Sequence, residues 1–230
     1  MSRSPRAGRE TRHASFCLMQ GLLGLAATLR VGGAMIYPLI ALAIVAAVVA
    51  LEKGFVFASR TRLPASLLAV AETYGFDWDD LEREVSSLGP RNYFGRFFRI
   101  IIENQKRPVW WVESRAAEEA SLIERSLGRW LWILETTVTA APLLGLLGTI
   151  TGMIRAFKLF GTEGLVDPRG VTGGVAEALI ATAVGLFIAL VALFAYNYFS
   201  HRLAQVMNEL EQLGTRLIDH LRLNGAEPGP

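Results

Sequence analysis

A single glutamate, Glu177, stands at the start of a stretch without charged residues that runs from Ala178 to Ser200. A helix over Val175 to Phe199 would be long enough to cross the hydrocarbon core of a bilayer, which is roughly 30 Å thick. Its second turn would hold a carboxyl group at or inside the membrane boundary. A charged side chain costs about 2.5–3.5 kcal/mol at mid-membrane, so this glutamate is a candidate functional group. The alternative is a glutamate that reaches the interface, where the positive end of the helix dipole suits it.

A second uncharged stretch, Thr136 to Ile154, carries polar and small side chains along one face of its predicted helix. These residues are three or four positions apart and begin with a carboxylate: Glu135, Thr139, Pro142, Gly145, Thr149 and Gly152. Gly148 and Gly152 have the small-xxx-small spacing with which membrane helices pack closely. Such a stripe suits the lining of a crevice that holds water or a partner helix. In the alternative, the threonine hydroxyls donate to backbone carbonyls and the stripe serves packing only.

The third stretch has the same character, with alanines and Gly185 dense between Ala176 and Ala195. Thr182 would lie about one turn deeper in the membrane than Glu177. The two helices together would place hydroxyls near mid-membrane and one carboxylate at each end. Protons can move along such a path by hopping between water, hydroxyls and carboxylates, whereas nothing in it could carry a large hydrophilic solute.

Three charge-free blocks dominate the chain, which has 230 residues of which 52% are hydrophobic and 19% charged. The first block, Val31 to Leu51, joins the two described above, and each is near or above the length of a membrane span. A helix is the open-chain structure that satisfies its own backbone hydrogen bonds in lipid. A soluble core of three buried helices is the alternative, but a chain this small would rarely bury three such segments.

The distribution of cations predicts the orientation of the spans. The net charge of +2 gives no case for nucleic acid binding. The short link Arg155 to Gly174 has acidic residues that offset its cations, whereas the long segment Glu52 to Trp130 and the tail carry arginines and lysines beside the spans. The positive-inside rule therefore places the long segment and the tail in the cytoplasm and the short link outside.

The amino terminus resembles a signal-type sequence, because four arginines precede a short apolar run from Phe16 to Leu29. An amphipathic tail is the alternative for this segment. Cys17 lies at the start of the run rather than after it, so a lipoprotein-type modification is not expected. As the only cysteine, it also excludes an intrachain disulfide.

The aqueous parts are predicted to be helical. Asp77 would cap a helix whose face holds Leu81, Val85 and Leu88 and which Gly89-Pro90 would end. A second helix would start after Pro108 and run directly into the second span, with a face of Val112, Ala116, Ile123, Leu127 and Trp130. The tail repeats this pattern in a stripe of Leu203, Val206, Leu210, Leu213 and Leu217.

The sequence thus predicts an all-α integral membrane protein with three transmembrane helices and long cytoplasmic helical extensions. Its predicted segments are a basic, signal-like or interfacial segment (1–30), the first span (31–52), a cytoplasmic helical domain (53–130), the second span (131–158), a periplasmic loop (159–174), the third span (175–200) and a cytoplasmic tail helix (201–230).

Two long motifs resemble those of the MotA/TolQ/ExbB proton-channel family. Residues 141–153, APLLGLLGTITGM, are similar to its second-span motif, and 174–186, GVAEALIATAVGL, followed by Tyr196-Asn197, to the third-span motif of its TolQ/ExbB branch. Leu134-Glu135-Thr136 also fits the entry to the second span. The motifs cover about a quarter of the chain, and they occur in the order that the family has.

The resemblance implies a bacterial inner-membrane protein that assembles as a homo-oligomer, a pentamer, around the helices of an ExbD/TolR-like single-span partner bearing an essential Asp. Thr149 and Thr182 would line the inner cavity, and Glu177 would be the third-span glutamate. Glu135 would be a further member of the path. Further partners implied are a TonB-like or TolA-like protein and membrane lipids. No cofactor is implied other than protons as the coupling ion. Pro142, Gly145, Gly148, Gly152 and Gly185 would serve helix packing.

A stator subunit that converts the proton gradient into work on an envelope machine is therefore the leading hypothesis. TonB-linked uptake, Tol-type envelope maintenance and gliding or flagellar propulsion are its variants, of which the flagellar one fits the three spans least. A non-conducting helical scaffold is the alternative class. An enzyme is the weakest, because His13, His201 and His220 are scattered and Gly170 to Gly174 lacks the lysine of a phosphate loop.

Overall fold

A computed structural model describes residues 33–63, 67, 77–158 and 168–225. Six helices lie within these residues: α1 (Ile36–Arg60), α2 (Trp78–Ser87), α3 (Tyr93–Glu103), α4 (Val109–Gly128), α5 (Leu131–Lys158) and α6 (Pro168–Gly225). The predicted amino-terminal segment 1–30, with Cys17, and most of the predicted loop 159–174 lie outside the described residues. Three helical stretches are long and apolar enough to cross a membrane, Ile36–Arg60, Val109–Lys158 and Val171–Leu223. The all-α class with three spans is therefore confirmed.

The chain divides into two compact units, and α1, α5 and α6 contribute to both. The first unit consists of the described residues up to Ala46 together with Glu135–Leu193, and thus holds the amino-terminal part of α1, most of α5 and the first half of α6. A small apolar core joins these helices, in which Leu39, Ala141 and Ala189 are buried. This unit contains all four residues predicted to form the proton path.

The second unit, Ala47–Leu134 with Phe194–Pro230, is a bundle built on amphipathic helices. Its core takes large apolar side chains from α2, α3, α4 and the end of α6, among them Leu81, Phe94, Phe98, Ile101, Ile123, Leu127, Leu210 and Leu217. The predicted tail stripe is buried from Val206 onward, as expected for a packing surface. An ion pair joins α3 to α4, in which Nη2 of the half-exposed Arg96 lies 2.6 Å from Oε1 of the buried Glu119.

Helix α2 forms where its local sequence predicts it. The Asp77 side chain accepts a hydrogen bond from the Asp79 backbone N–H at 3.2 Å, which satisfies one of the unpaired donors at the helix start. Leu81, Val85 and Leu88 are buried, as their spacing predicts. The helix ends at Ser87, just before Gly89-Pro90, so this prediction is confirmed.

The predicted continuous helix from Pro108 into the second span is wrong, because α4 ends at Gly128 and α5 begins at Leu131. Trp130 between them has a φ of 69°, in the left-handed region that non-glycine residues rarely adopt. Arg129 stacks its guanidinium on the Trp130 ring, with 4.8 Å from Cζ to the ring centroid. The buried Lys53 ammonium donates to the Leu127 carbonyl at 2.9 Å. This bond satisfies one of the terminal carbonyls that a continued helix would have paired internally.

Helix α6 is a single element of 58 residues that begins at Pro168, before the predicted start of the third span at 175. Proline suits the first turn of a helix because its missing N–H would have no partner there. The predicted tail, 201–230, belongs to the same helix as far as Gly225. Glu177 consequently lies ten residues into a regular helix rather than in its first two turns.

Candidate functional site

The seam between α5 and α6 is built from residues without large side chains. A Cβ atom placed on Gly148 would lie 2.6 Å from Ala181 Cβ, and one on Gly152 would lie 2.8 Å from Ala178 Cβ. Further along, a Cβ on Gly185 would lie 2.5 Å from the Ala141 carbonyl oxygen. The two helices therefore run antiparallel with their backbones in close approach, which only glycine at these positions permits.

Thr182 lies in this seam and bonds across it. Its Oγ1 donates to the Gly145 carbonyl oxygen at 2.9 Å, and the group is partly buried. A Cβ on Gly145 would lie 3.0 Å from Thr182 Cα, so the glycine is what brings the hydroxyl within reach of the α5 backbone. With its hydrogen committed to that carbonyl, the Thr182 oxygen keeps lone pairs that can accept a proton donor such as water.

Thr149 is half-buried on the same helix as Gly145. Its Oγ1 donates to the Leu146 carbonyl oxygen of its own helix at 2.6 Å. Thr149 lies four positions after Gly145, which corresponds to about 6 Å of helix, so the two threonines lie about one turn apart in depth. Both hydroxyls can accept a hydrogen bond while donating to a backbone carbonyl, which is also the bonding expected of a purely structural threonine.

Glu177 forms an ion pair with Arg155, near the carboxyl end of α5. Arg155 Nη1 lies 2.9 Å from Glu177 Oε1, and the Glu177 side chain is 24% exposed while that of Arg155 is 51% exposed. Gly33, which precedes α1, packs directly against this carboxylate. Three chain segments of the first unit therefore meet at the one carboxylate of the third span.

Glu135 lies apart from the other predicted path residues. It is exposed, and fourteen residues separate it from Thr149, which corresponds to about 21 Å along the helix. Along the seam, Thr182 lies opposite Gly145, and Thr149 lies about one turn further along α5. Glu177 lies at the end of the seam beside Arg155, whereas Glu135 lies near the opposite end of α5. Pro142 lies inside α5 and is half-buried, where it leaves the carbonyl four residues earlier without its usual backbone donor.

Two residues at the site were not singled out in the sequence. In the sequence, Arg155 is only the cation that follows the second uncharged stretch. Gly33 lies in an apolar run, where the pattern indicates no particular role for a glycine. The signal for Arg155 was its place beyond the span on the same side of the membrane as Glu177. Gly33 offers no such signal, because its role depends on a contact with a residue 144 positions away.

Within the part of the chain that the structure describes, no group of three or more His, Cys, Asp or Glu side chains could hold a metal ion. The polar groups along the α5–α6 seam are threonine hydroxyls, backbone carbonyls, the Glu177 carboxylate and the Arg155 guanidinium. These groups can relay protons through water and can hold a fixed charge.

Taken together, the three apolar helices and the tight glycine-lined seam define a multi-pass helical membrane protein. A family model described as the MotA/TolQ/ExbB proton channel family matches residues 91–212. The chain belongs to this family. The matched region holds α4, α5 and most of α6, including every predicted path residue.

Named relatives agree with this assignment. The protein named ExbB-like 1 of Synechocystis sp. is 30% identical over 195 residues, which cover 81% of this chain and 74% of that protein. Biopolymer transport protein ExbB of Aquifex aeolicus is 33% identical over 91 residues, 40% of this chain and 62% of its own length. Tol-Pal system protein TolQ of Pseudomonas aeruginosa is 43% identical over 79 residues, 34% of each chain.

The family assignment confirms the resemblance seen in the two span motifs. Similarity to the Aquifex and Pseudomonas relatives is limited to less than two thirds of their lengths. The roles of Thr149, Thr182, Glu177 and Glu135 stay predictions.

Proposed function

We propose that this chain is the channel-forming subunit of an inner-membrane motor that couples proton flow to work on the cell envelope. The observation that carries the proposal is the α5–α6 seam, where Thr182 bonds to the Gly145 carbonyl and Glu177 lies near the end. A channel needs acceptors inside the apolar layer, and the two threonine oxygens and the Glu177 carboxylate supply them in this family member.

The chain needs a partner to complete the path. No Asp, Glu, Lys, Arg or His occurs in Val31 to Leu51, Thr136 to Ile154 or Ala178 to Ser200, so the chain itself places no carboxylate at mid-membrane. A single-span ExbD/TolR-like protein with a membrane-embedded acid would supply it. Such a partner would be surrounded by several copies of this chain, for which a pentamer is the arrangement that the family resemblance implies.

The exposed faces of the spans support an assembly of this kind. Within a single chain, only 28% of the most apolar part of each span is buried. Large apolar residues such as Leu143, Leu186 and Phe187 are more than half exposed. Lipid and neighbouring subunits would cover them. By the positive-inside rule, the arginines and lysines that follow the first span and precede the second favour a cytoplasmic location for the second unit.

The names of the relatives indicate only the general class of envelope system that the proposed motor would serve. ExbB and TolQ proteins are both among them. We propose energised transport or envelope maintenance, with TonB-linked uptake as the first candidate because most of the named relatives are ExbB proteins. A TonB-like or TolA-like protein would then receive the work.

A non-conducting scaffold is the second candidate, and the threonine geometry favours it in one respect. Both hydroxyls donate to backbone carbonyls, which is sufficient reason for threonine in a packing seam. In that case the glycines would hold the helices together, and no proton would pass.

Reconstitution in liposomes separates the two candidates. The full chain is reconstituted alone and with its co-expressed single-span partner, and proton entry under an imposed potential is followed with an internal pH dye. The channel proposal expects proton flux only when both components are present. Absence of flux from the intact two-component complex would favour the scaffold.

A further inference from the structure

The Glu177 carboxylate occupies a place that a side chain at residue 33 would otherwise fill. A Cβ atom on Gly33 would lie 1.7 Å from Glu177 Oε1 and 3.2 Å from Arg155 Nη2. No shift of a few tenths of an ångström could relieve the first of these contacts. A side chain at residue 33 would therefore require the Glu177 carboxylate, the end of a flexible side chain, to move away from this position.

Gly33 is also held in a conformation that suits glycine. Its φ is +66°, in the left-handed region, and its carbonyl accepts the Ile36 backbone N–H at 3.2 Å as α1 begins. A residue with a side chain would be strained there even without the carboxylate. The turn and the ion pair are thus built on the same residue.

Arg155 is positioned to act on Glu177 rather than on solvent alone. It lies in the last turn of α5, where a cation interacts favourably with the negative end of the helix dipole. Its guanidinium spans from that helix end to α6, and it meets a carboxylate that is three quarters buried. The exposed Lys158, three residues further along the same helix, provides a comparison cation at the same helix end.

We propose that Arg155 is a positioning residue, which together with Gly33 fixes the Glu177 carboxylate where α5, α6 and the turn before α1 meet. This inference rests on the proposed function, in which Glu177 belongs to the proton path. Arg155 then sets the distance from Glu177 to the threonine hydroxyls, and proton entry requires the ion pair to open or to exchange partners.

Charge exchange tests the pair in the full chain reconstituted with its partner. Arg155→Gln should lose most of the proton flux, Arg155→Lys should retain much of it, and the exchanged pair Arg155→Glu with Glu177→Arg should recover flux relative to either single exchange. Lys158→Gln removes one cation from the same helix end and should leave flux unchanged. Flux in Arg155→Gln equal to that of the unaltered chain would overturn the proposal.

A thermal double-mutant cycle on the detergent-solubilised chain decides whether the pair exists, whatever the flux. Arg155→Gln, Glu177→Gln and the double variant are compared by midpoint of unfolding. If the two side chains form a pair, the double variant should have a midpoint of unfolding no lower than that of the less stable single variant. If the midpoint shifts of the two single variants add up in the double variant, the pair is contradicted. Gly33→Ala should lower the midpoint and remove the coupling, and Gly173→Ala, where a Cβ meets nothing within 4 Å, should do neither.

The flux measurement and the double-mutant cycle together distinguish failure of the proposed channel from failure of the positioning role of Arg155. A complex without proton flux, in which Arg155 and Glu177 are still coupled in the cycle, would refute the proposed channel but leave the pairing intact. A conducting complex with additive shifts would retain the channel and refute the positioning role. A lowered midpoint in Arg155→Gln with unchanged flux would make the pair purely structural and would also refute it.

Discussion

The Thr182 hydroxyl shows how one side chain can serve packing and proton transfer together. It donates to the Gly145 carbonyl across the helix seam, and a hydroxyl in that state still offers an acceptor to water or to a partner's acid. In an apolar layer, acceptors of this kind are few. The same bond that holds the two helices together therefore also presents an oxygen at a defined depth.

Ion pairs in the second unit differ in how much they contribute to its stability. Glu119 is 7% exposed and its ion-pair partner is Arg96, at 2.6 Å, whereas Arg115 and Glu118 form an exposed pair on one face of α4. A buried carboxylate that loses its partner keeps the cost of its desolvation, while an exposed one is solvated by water.

We therefore expect Arg96→Gln to lower the free energy of unfolding by about 2 kcal/mol, as for the loss of a hydrogen bond to a charged group. The matched variant Arg115→Gln should cost less than about 1 kcal/mol, because exposed ion pairs contribute little. Denaturation of the solubilised chain, followed by circular dichroism, measures both. Equal costs for the two variants would contradict the burial of Glu119.

At the scale of elements, the seam of α5 and α6 depends on the absence of side chains. The spacing of Gly148 and Gly152 predicted close helix packing, and the structure places both against alanines of α6. Close packing can be read from sequence because small residues at helical spacing have few other uses in a membrane helix.

Gly148→Ala should destabilise the first unit by about 1–3 kcal/mol, because its new methyl group would meet the Ala181 methyl group at 2.6 Å. Adding Ala181→Gly removes the opposing methyl group and should restore much of the lost stability. Thermal unfolding in detergent measures both, with Gly173→Ala as the control in open space. Failure of the second change to rescue the first would mean that the two helices do not meet at this point.

Local signals predicted the elements better than the contacts between them. The Asp77 cap, the Leu81 to Leu88 face and the tail stripe each depend on neighbours in sequence, and each was predicted correctly. The break at Trp130 was missed because it coincides with the Lys53–Leu127 bond, which joins residues 74 positions apart. The Arg155–Glu177 pair and the Gly33 contact were missed for the same reason.

At the scale of the whole molecule, a single chain leaves much of the surface of its three spans uncovered. Apolar side chains cover the outside of the three helices, and the path residues of the first unit are not enclosed by the chain itself. Both features are expected of a proton channel in which neighbouring copies of the chain cover the apolar faces and a single-span partner completes the enclosure of the path residues.

The detergent-solubilised chain should accordingly be a ring-like oligomer. Light scattering coupled to size-exclusion chromatography gives the protein mass free of detergent, and we expect several copies per particle, five in the proposed arrangement. The Arg115→Gln variant serves as a control for assembly, since its exposed charge lies on α4, sixteen positions before the start of α5. A stable monomer across the accessible concentration range would contradict the assembly.

The most direct measurement of the central claim is proton flux through the reconstituted complex in which Thr149 and Thr182 are both replaced by valine. Valine keeps the shape of threonine and removes the oxygen, so the helices should stay assembled while the path loses two acceptors. Thr215→Val, which removes a hydroxyl that donates only to the Glu211 carbonyl of its own helix, is the matched control. If protons pass these hydroxyls, proton flux should fall sharply in the double variant and stay unchanged in the control. Undiminished flux in the double variant, at unaltered oligomer size, would show that protons do not pass these hydroxyls.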